Sequence, residues 1–163
     1  MRMTLIGLFM LVVATDAHPA DSGNTFVSND YGISIDAPAA EDMTAPNNQI
    51  VAFFLPPSDN FTANVNVLRE RSGDSLEAFD KLTLSQFKQF KLTVLNRTLK
   101  GNEIRYEYKG NMQGRTLHWY ARTVKAGQLI YLVTATGLDS QWAKQKSALI
   151  KSVESFSVKP PGK

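Results

Sequence analysis

Between Gly101 and Gly137 the chain reads GNEIRYEYKGNMQGRTLHWYARTVKAGQLIYLVTATG, three runs rich in β-branched and aromatic residues parted by glycine-containing turns. Apolar and polar side chains alternate every second residue rather than every three to four, so the segment predicts an antiparallel meander. In its first run Ile104, Tyr106 and Tyr108 alternate with Arg105, Glu107 and Lys109. One face is therefore apolar and the other charged. The second run sets Leu117, Trp119, Ala121 and Thr123 against His118, Tyr120, Arg122 and Val124. The third, Leu129 to Ala135, is apolar at nearly every place, the pattern of a central strand covered on both faces.

Other segments supply the cover. Asp74 with Glu77 three residues on predicts a capped helix over Ser75 to Phe90, whose stripe of Leu76, Phe79, Thr83, Phe87 and Phe90 should lie on the sheet. Asp139 is read as the N-cap of a second helix over Ser140 to Val153, with Trp142, Leu149, Ile150 and Val153 on one side. Thr25 to Val27 and Tyr31 to Ile35 flank a turn-rich triplet and predict a hairpin that ends at Pro38. Residues 39–48 read as a loop, Gln49 to Leu55 and Phe61 to Leu68 as strands, Leu92 to Leu99 as another, and Ser155 to Val158 as a short edge strand. Turns link most strands, so the fold class is α+β: a mainly antiparallel sheet flanked by two principal helices.

Organisation follows from composition at the two ends. Arg2, the apolar run Leu5 to Val13 and the small residues Ala14, Thr15 and Ala17 read as a signal peptide over residues 1–17, with cleavage after Ala17. The expected protein is periplasmic or secreted, without a retained membrane anchor. Residues 18–25 read as a flexible lead-in, 26–158 as one domain, and 159–163 as a disordered tail. The chain has 163 residues and needs no cross-links to hold a core; it contains no cysteine, so disulfides, thiolate metal sites and a cysteine nucleophile are excluded. A net charge of +3 with scattered Lys and Arg argues against a nucleic-acid surface.

Chemistry is scarce. The chain has no nucleophile elbow, no phosphate-binding loop, no dinucleotide fingerprint and no zinc-protease helix motif. Its two histidines are His18 and His118, which yields no catalytic residue, no metal site and no cofactor. The candidates that remain are for protein contact: Tyr106, Tyr108, His118, Tyr120 and Arg122, in strands that would bring aromatic and basic side chains together. For Trp119 and the Tyr106 face, packing beneath a helix is the favoured alternative. Tyr120 and Arg122, on the other face, stay open between contact and structure.

The residues also carry a resemblance. YGISIDAP (31–38), FFLPPSDNFTANVNVLRER (53–71), SLEAFDKLTLSQFKQF (75–90), LKGNEIRYEY (99–108) and ATGLDSQWAKQKSALIKSVESF (135–156) together resemble the superfamily of PsbP, the Ran-binding Mog proteins and the periplasmic DcrB proteins. Many members carry a Trp soon after the first Pro; Ala39 to Met43 has none. The resemblance implies an α-β-α sandwich that holds protein partners in photosystem assemblies, on a small GTPase or around secretion, with no shared active site. The expectation is an exported, non-enzymatic adaptor or assembly factor of the cell envelope. Alternatives are a periplasmic immunity protein against a secreted toxin and a small envelope hydrolase in which His118 would meet a carboxylate and a hydroxyl in a deep pocket.

Overall fold

A computed structural model describes residues 18–19, 25–40, 42–44 and 49–159, and the expected signal peptide lies outside them. The strands are β1 (His18–Pro19), β2 (Thr25–Ser28), β3 (Ile33–Asp36), β4 (Asp42–Thr44), β5 (Gln49–Phe54), β6 (Asn64–Arg71), β7 (Thr93–Lys100), β8 (Glu103–Met112), β9 (Arg115–Ala126), β10 (Leu129–Leu138) and β11 (Ser157–Val158). Two helices join them, α1 (Leu76–Gln89) and α2 (Asp139–Ser155). β1, β4, β5, β6, β10, β9, β8 and β7, in that order, form one sheet, and β11, β3 and β2 a second. Every pairing is antiparallel.

The meander predicted from Gly101 onward is the heart of the large sheet. Two-residue turns close its hairpins, with Gly101 and Gly127 each at a φ of 60° in the first turn position, a conformation that costs glycine nothing. β10 lies between β6 and β9 and is covered on both faces, as its unbroken apolar run requires. Tyr131, Val133 and Ala135 enter one core layer with Trp142, Leu149 and Val153 of α2 and with Ile33 and Ile35 of the small sheet. Ile130 enters the opposite layer with Leu76, Phe79 and Phe87 of α1 and with Ile104, Tyr106, Tyr108, Leu117 and Trp119. The molecule is thus an α+β sandwich, α1 on one face of the sheet and α2 with the small sheet on the other.

Several boundaries differ from the sequence reading, each for a local reason. Ser75, not Asp74, caps α1: its hydroxyl accepts from the Ala78 amide at 3.2 Å, while the Asp74 carbonyl receives the Lys125 ammonium at 2.7 Å. Phe90 follows the helix and is exposed. Asp139 is the first residue of α2 rather than its cap, because its carboxylate is committed to His118 and Lys109. Asp59 and Asn60, at φ 51° and 55°, fold Ser58 and Phe61 into a tight bridge, so the strand expected from Phe61 starts at Asn64 and runs on to Arg71. Within the expected loop 39–48, residues 42–44 pair with the edge of β5, and within the expected lead-in His18–Pro19 pairs with β4; residues 20–24 and 45–48 lie outside the described set. Lys159, placed in the tail from sequence, donates its amide to the Gly32 carbonyl at 2.7 Å.

Candidate functional site

Strand alternation sends Glu103, Arg105, Glu107 and Lys109 of β8 and His118, Tyr120 and Arg122 of β9 to the face on which α2 lies. There they meet Asp139 and Trp142 from the start of the helix and Glu154 from its end. Three of the five residues expected to form a contact patch lie in this row. Its charges point inward at each other.

At the N-terminal end of α2, His118 Nδ1 lies 2.9 Å from Asp139 Oδ1, and Nε2 lies 3.0 Å from Glu107 Oε1. Each ring nitrogen thus has a carboxylate of the same molecule as its hydrogen-bond partner. Lys109 Nζ donates to the second oxygen of Asp139 at 3.1 Å, and Trp142 Nε1 donates to Glu107 Oε1 at 3.3 Å. The indole stacks on the imidazole, centroids 4.2 Å apart and planes 11° from parallel. Gly137, opposite His118 in the β9–β10 register, leaves room for it: a Cβ there would sit 3.3 Å from Trp142 Cε3. His118 is only 6% exposed, which leaves little of it for the protein contact expected from sequence.

At the other end of the helix Arg122 donates through Nε and Nη2 to Glu103, at 3.1 and 2.6 Å, and through Nη1 to the carbonyls of Glu154 and Phe156, both at 2.9 Å. It thereby satisfies carbonyls that a helix C-terminus leaves without partners. Arg105 forks onto Glu154 with two bonds of 2.8 Å, and the Tyr120 hydroxyl donates to the same carboxylate at 2.6 Å. Burial, and then the bond to Glu154, pushes the Tyr120 hydroxyl up to about 12. Tyr120 and Arg122, open between contact and structure from sequence alone, are engaged within the molecule.

Tyr106 and Tyr108 lie on the opposite face, 2% and 4% exposed, beneath α1. As contact residues both are corrected: alternation turns them into the core, where a partner cannot reach them. Tyr106 donates to Asp80 Oδ1 at 2.8 Å, and Arg97 of β7 donates to the same carboxylate. Sequence reasoning passed over Asp80, although it lies four residues after Leu76 and three before Thr83, on the buried stripe.

These carboxylates give the fold a pH dependence. The His118 bond holds the Asp139 carboxyl below its usual range, with Lys109 adding to it; Arg122 does the same for Glu103, and Arg105 for Glu154. For Asp80, burial pushes upward but is outweighed by the bonds from Arg97 and Tyr106. Glu70, raised by burial, opposes them. Carboxyls depressed in the folded state bind protons more weakly than in the unfolded chain, so their stabilisation is complete above the ordinary carboxylate range and is lost as pH falls through it. The urea midpoint should hold steady from neutrality to about pH 5 and drop steeply below about pH 4. An equal midpoint at about pH 3 and at neutrality would contradict this.

Chemically, the row offers little. Both nitrogens of His118 are occupied by carboxylates, and among the described residues no hydroxyl hydrogen-bonds to it, so the geometry expected of the hydrolase alternative is not the one found there. Among the described residues no group of three His, Asp or Glu side chains is arranged to hold a metal ion. No helix among them is long and apolar enough to cross a membrane.

No known family profile matches the chain, and no curated protein matches it in sequence. Solved structures do match in fold. Cyanobacterial PsbP from Synechocystis aligns with a TM-score of 0.58 at 14% identity, over 93% of this chain and 98% of its own. PA94, a protein of unknown function from Pseudomonas aeruginosa, gives 0.58 at 14% identity over 86% and 100%. LpqN, involved in cell envelope biogenesis of Mycobacterium tuberculosis, gives 0.53 at 15% identity over 89% and 91%. At such identities the likeness concerns backbone architecture, and on that ground the chain has the PsbP-like fold.

Proposed function

We propose that this chain is an exported protein-binding domain without bond-making chemistry of its own, serving as an adaptor or assembly factor in the cell envelope. The observation that carries the reading is the placement of His118, whose ring nitrogens, at 2.9 and 3.0 Å from two carboxylates of the same chain, are engaged within the molecule rather than turned toward a substrate. The other charged groups of the same row are spent on the ends of α2. What such a molecule has to offer is surface. Support for the setting comes from the fold, which it shares with a cyanobacterial PsbP and with a mycobacterial protein of envelope biogenesis.

Tagged mature chain, cross-linked in envelope extract and recovered under denaturing wash, should bring down a partner near one-to-one stoichiometry. Recovery of sub-stoichiometric background alone contradicts the proposal. So does turnover of a substrate by the purified chain that a His118→Gln substitution abolishes.

A further inference from the structure

The large sheet ends very differently on its two sides. One outer strand, β1, has two residues, while the other, β7, has eight and pairs only with β8 among the described residues. A long outer strand presents a row of backbone N–H and C=O groups ready to accept another strand. Natural sheets blunt such edges with proline, charged side chains or bulges, or shorten them; β7 shifts register between Val94 and Asn96 and then pairs regularly with β8 from Asn96 to Lys100. β7, TVLNRTLK, contains no proline and no glycine. All its side chains but Leu99 are exposed, including Val94 at 37% and Leu95 at 46%, and Phe90 just upstream is 40% exposed.

Charge selects the occupant. From Lys88 to Lys100 the chain carries four cations, Lys88, Lys91, Arg97 and Lys100, and no acid. Arg97 is held by Asp80, whereas Lys88, Lys91 and Lys100 form no ion pair among the described residues. A second copy of this chain would set these cations against themselves, which disfavours pairing of β7 with β7. We propose that the open edge of β7 takes an extended acidic segment of a partner protein as a ninth strand, its carboxylates drawn to the cations Lys91 and Lys100 at either end of the strand. The inference rests on the protein-binding reading above and names the surface and the kind of partner.

The test uses the mature chain, isotope-labelled, with a ten-residue peptide alternating valine and glutamate as the probe and one alternating valine and lysine as the control. The glutamate peptide should shift the amide resonances of Thr93–Lys100 and slow their exchange, and the lysine peptide should not. Lys91→Glu with Lys100→Glu, both at exposed positions, should weaken the glutamate peptide about tenfold. The proposal is overturned by equal binding of the two peptides, by shifts confined to another face, by self-association through β7, or by a double variant that binds as the parent does. A double variant that still recovers a one-to-one partner from envelope extract leaves the binding reading standing and removes β7 as the surface. Failure of the parent chain to recover any such partner, with the peptide result intact, does the reverse.

Discussion

Trp119→Ala should lower the free energy of unfolding by about 3–5 kcal/mol, the cost of removing a large aromatic side chain from a filled core. Trp119 is 3% exposed and is the inner member of a stack that reaches the helix: its ring lies 5.1 Å from that of Tyr108, and Tyr108 lies 4.2 Å from Phe87 of α1. Phe87 also meets Tyr106 edge-on at 5.5 Å. Three aromatic rings thus transmit the contact from sheet to helix, and each pair adds to the area it buries. Taking out the innermost leaves Tyr108 without its floor, so Phe87 loses support as well. Urea unfolding followed by far-UV circular dichroism reads the loss, and a decrease smaller than about 1.5 kcal/mol would mean that the stack does not hold α1.

Arg122→Met should cost about 2–4 kcal/mol, less than the figure for a fully buried pair because Glu103 keeps some contact with water. Methionine replaces the apolar stem of arginine but not its guanidinium, so what is lost is that group and its four hydrogen bonds to Glu103, the Glu154 carbonyl and the Phe156 carbonyl. The carboxylate of Glu103 would keep Arg105 alone. Two carbonyls at the end of α2 would lose their donor. The same region ties the small sheet down, since Ser152 donates to the Asp36 carbonyl at 2.6 Å and Ser155 accepts from the Asp36 amide at 2.8 Å. Loosening of β2 and β3 should therefore accompany the loss of stability, visible as faster amide exchange there. An exposed binding arginine would instead change by less than about 0.5 kcal/mol.

Alternation made the sheet legible. Ile104, Tyr106 and Tyr108 face the core, Arg105, Glu107 and Lys109 face the other way, and β10 is central, because side chains on a strand have a period of two and burial follows it. Helix positions were legible from their apolar stripes for the same kind of reason. Caps were not. Both acids read as N-caps are used elsewhere, Asp74 through its carbonyl and Asp139 through its carboxylate, and the competing partners Lys125 and His118 come from a distant part of the chain.

That is also why the contact patch misread its members. A spacing pattern says which face a residue joins, and it says nothing about which charge from another element will arrive opposite. His118 and Asp139 are 21 positions apart, Tyr120 and Glu154 are 34, and Arg105 and Glu154 are 49. Tyr, His and Arg in a half-polar strand look alike whether they await a partner protein or a helix of their own. Asp80 shows the converse: its place on the α1 stripe was a readable sign of burial, and burial of a carboxylate demands a cation such as Arg97.

Native-state hydrogen exchange across α2, in the parent chain and in His118→Gln and Arg122→Met, tests directly whether the polar row fastens the helix to the sheet. Exchange should quicken at the Asp139 end in the first variant and at the Ser155 end in the second, while α1 stays protected to the extent that global stability allows. Unchanged protection of α2 in both variants would mean that these side chains hold nothing inside the molecule and are available to something outside it.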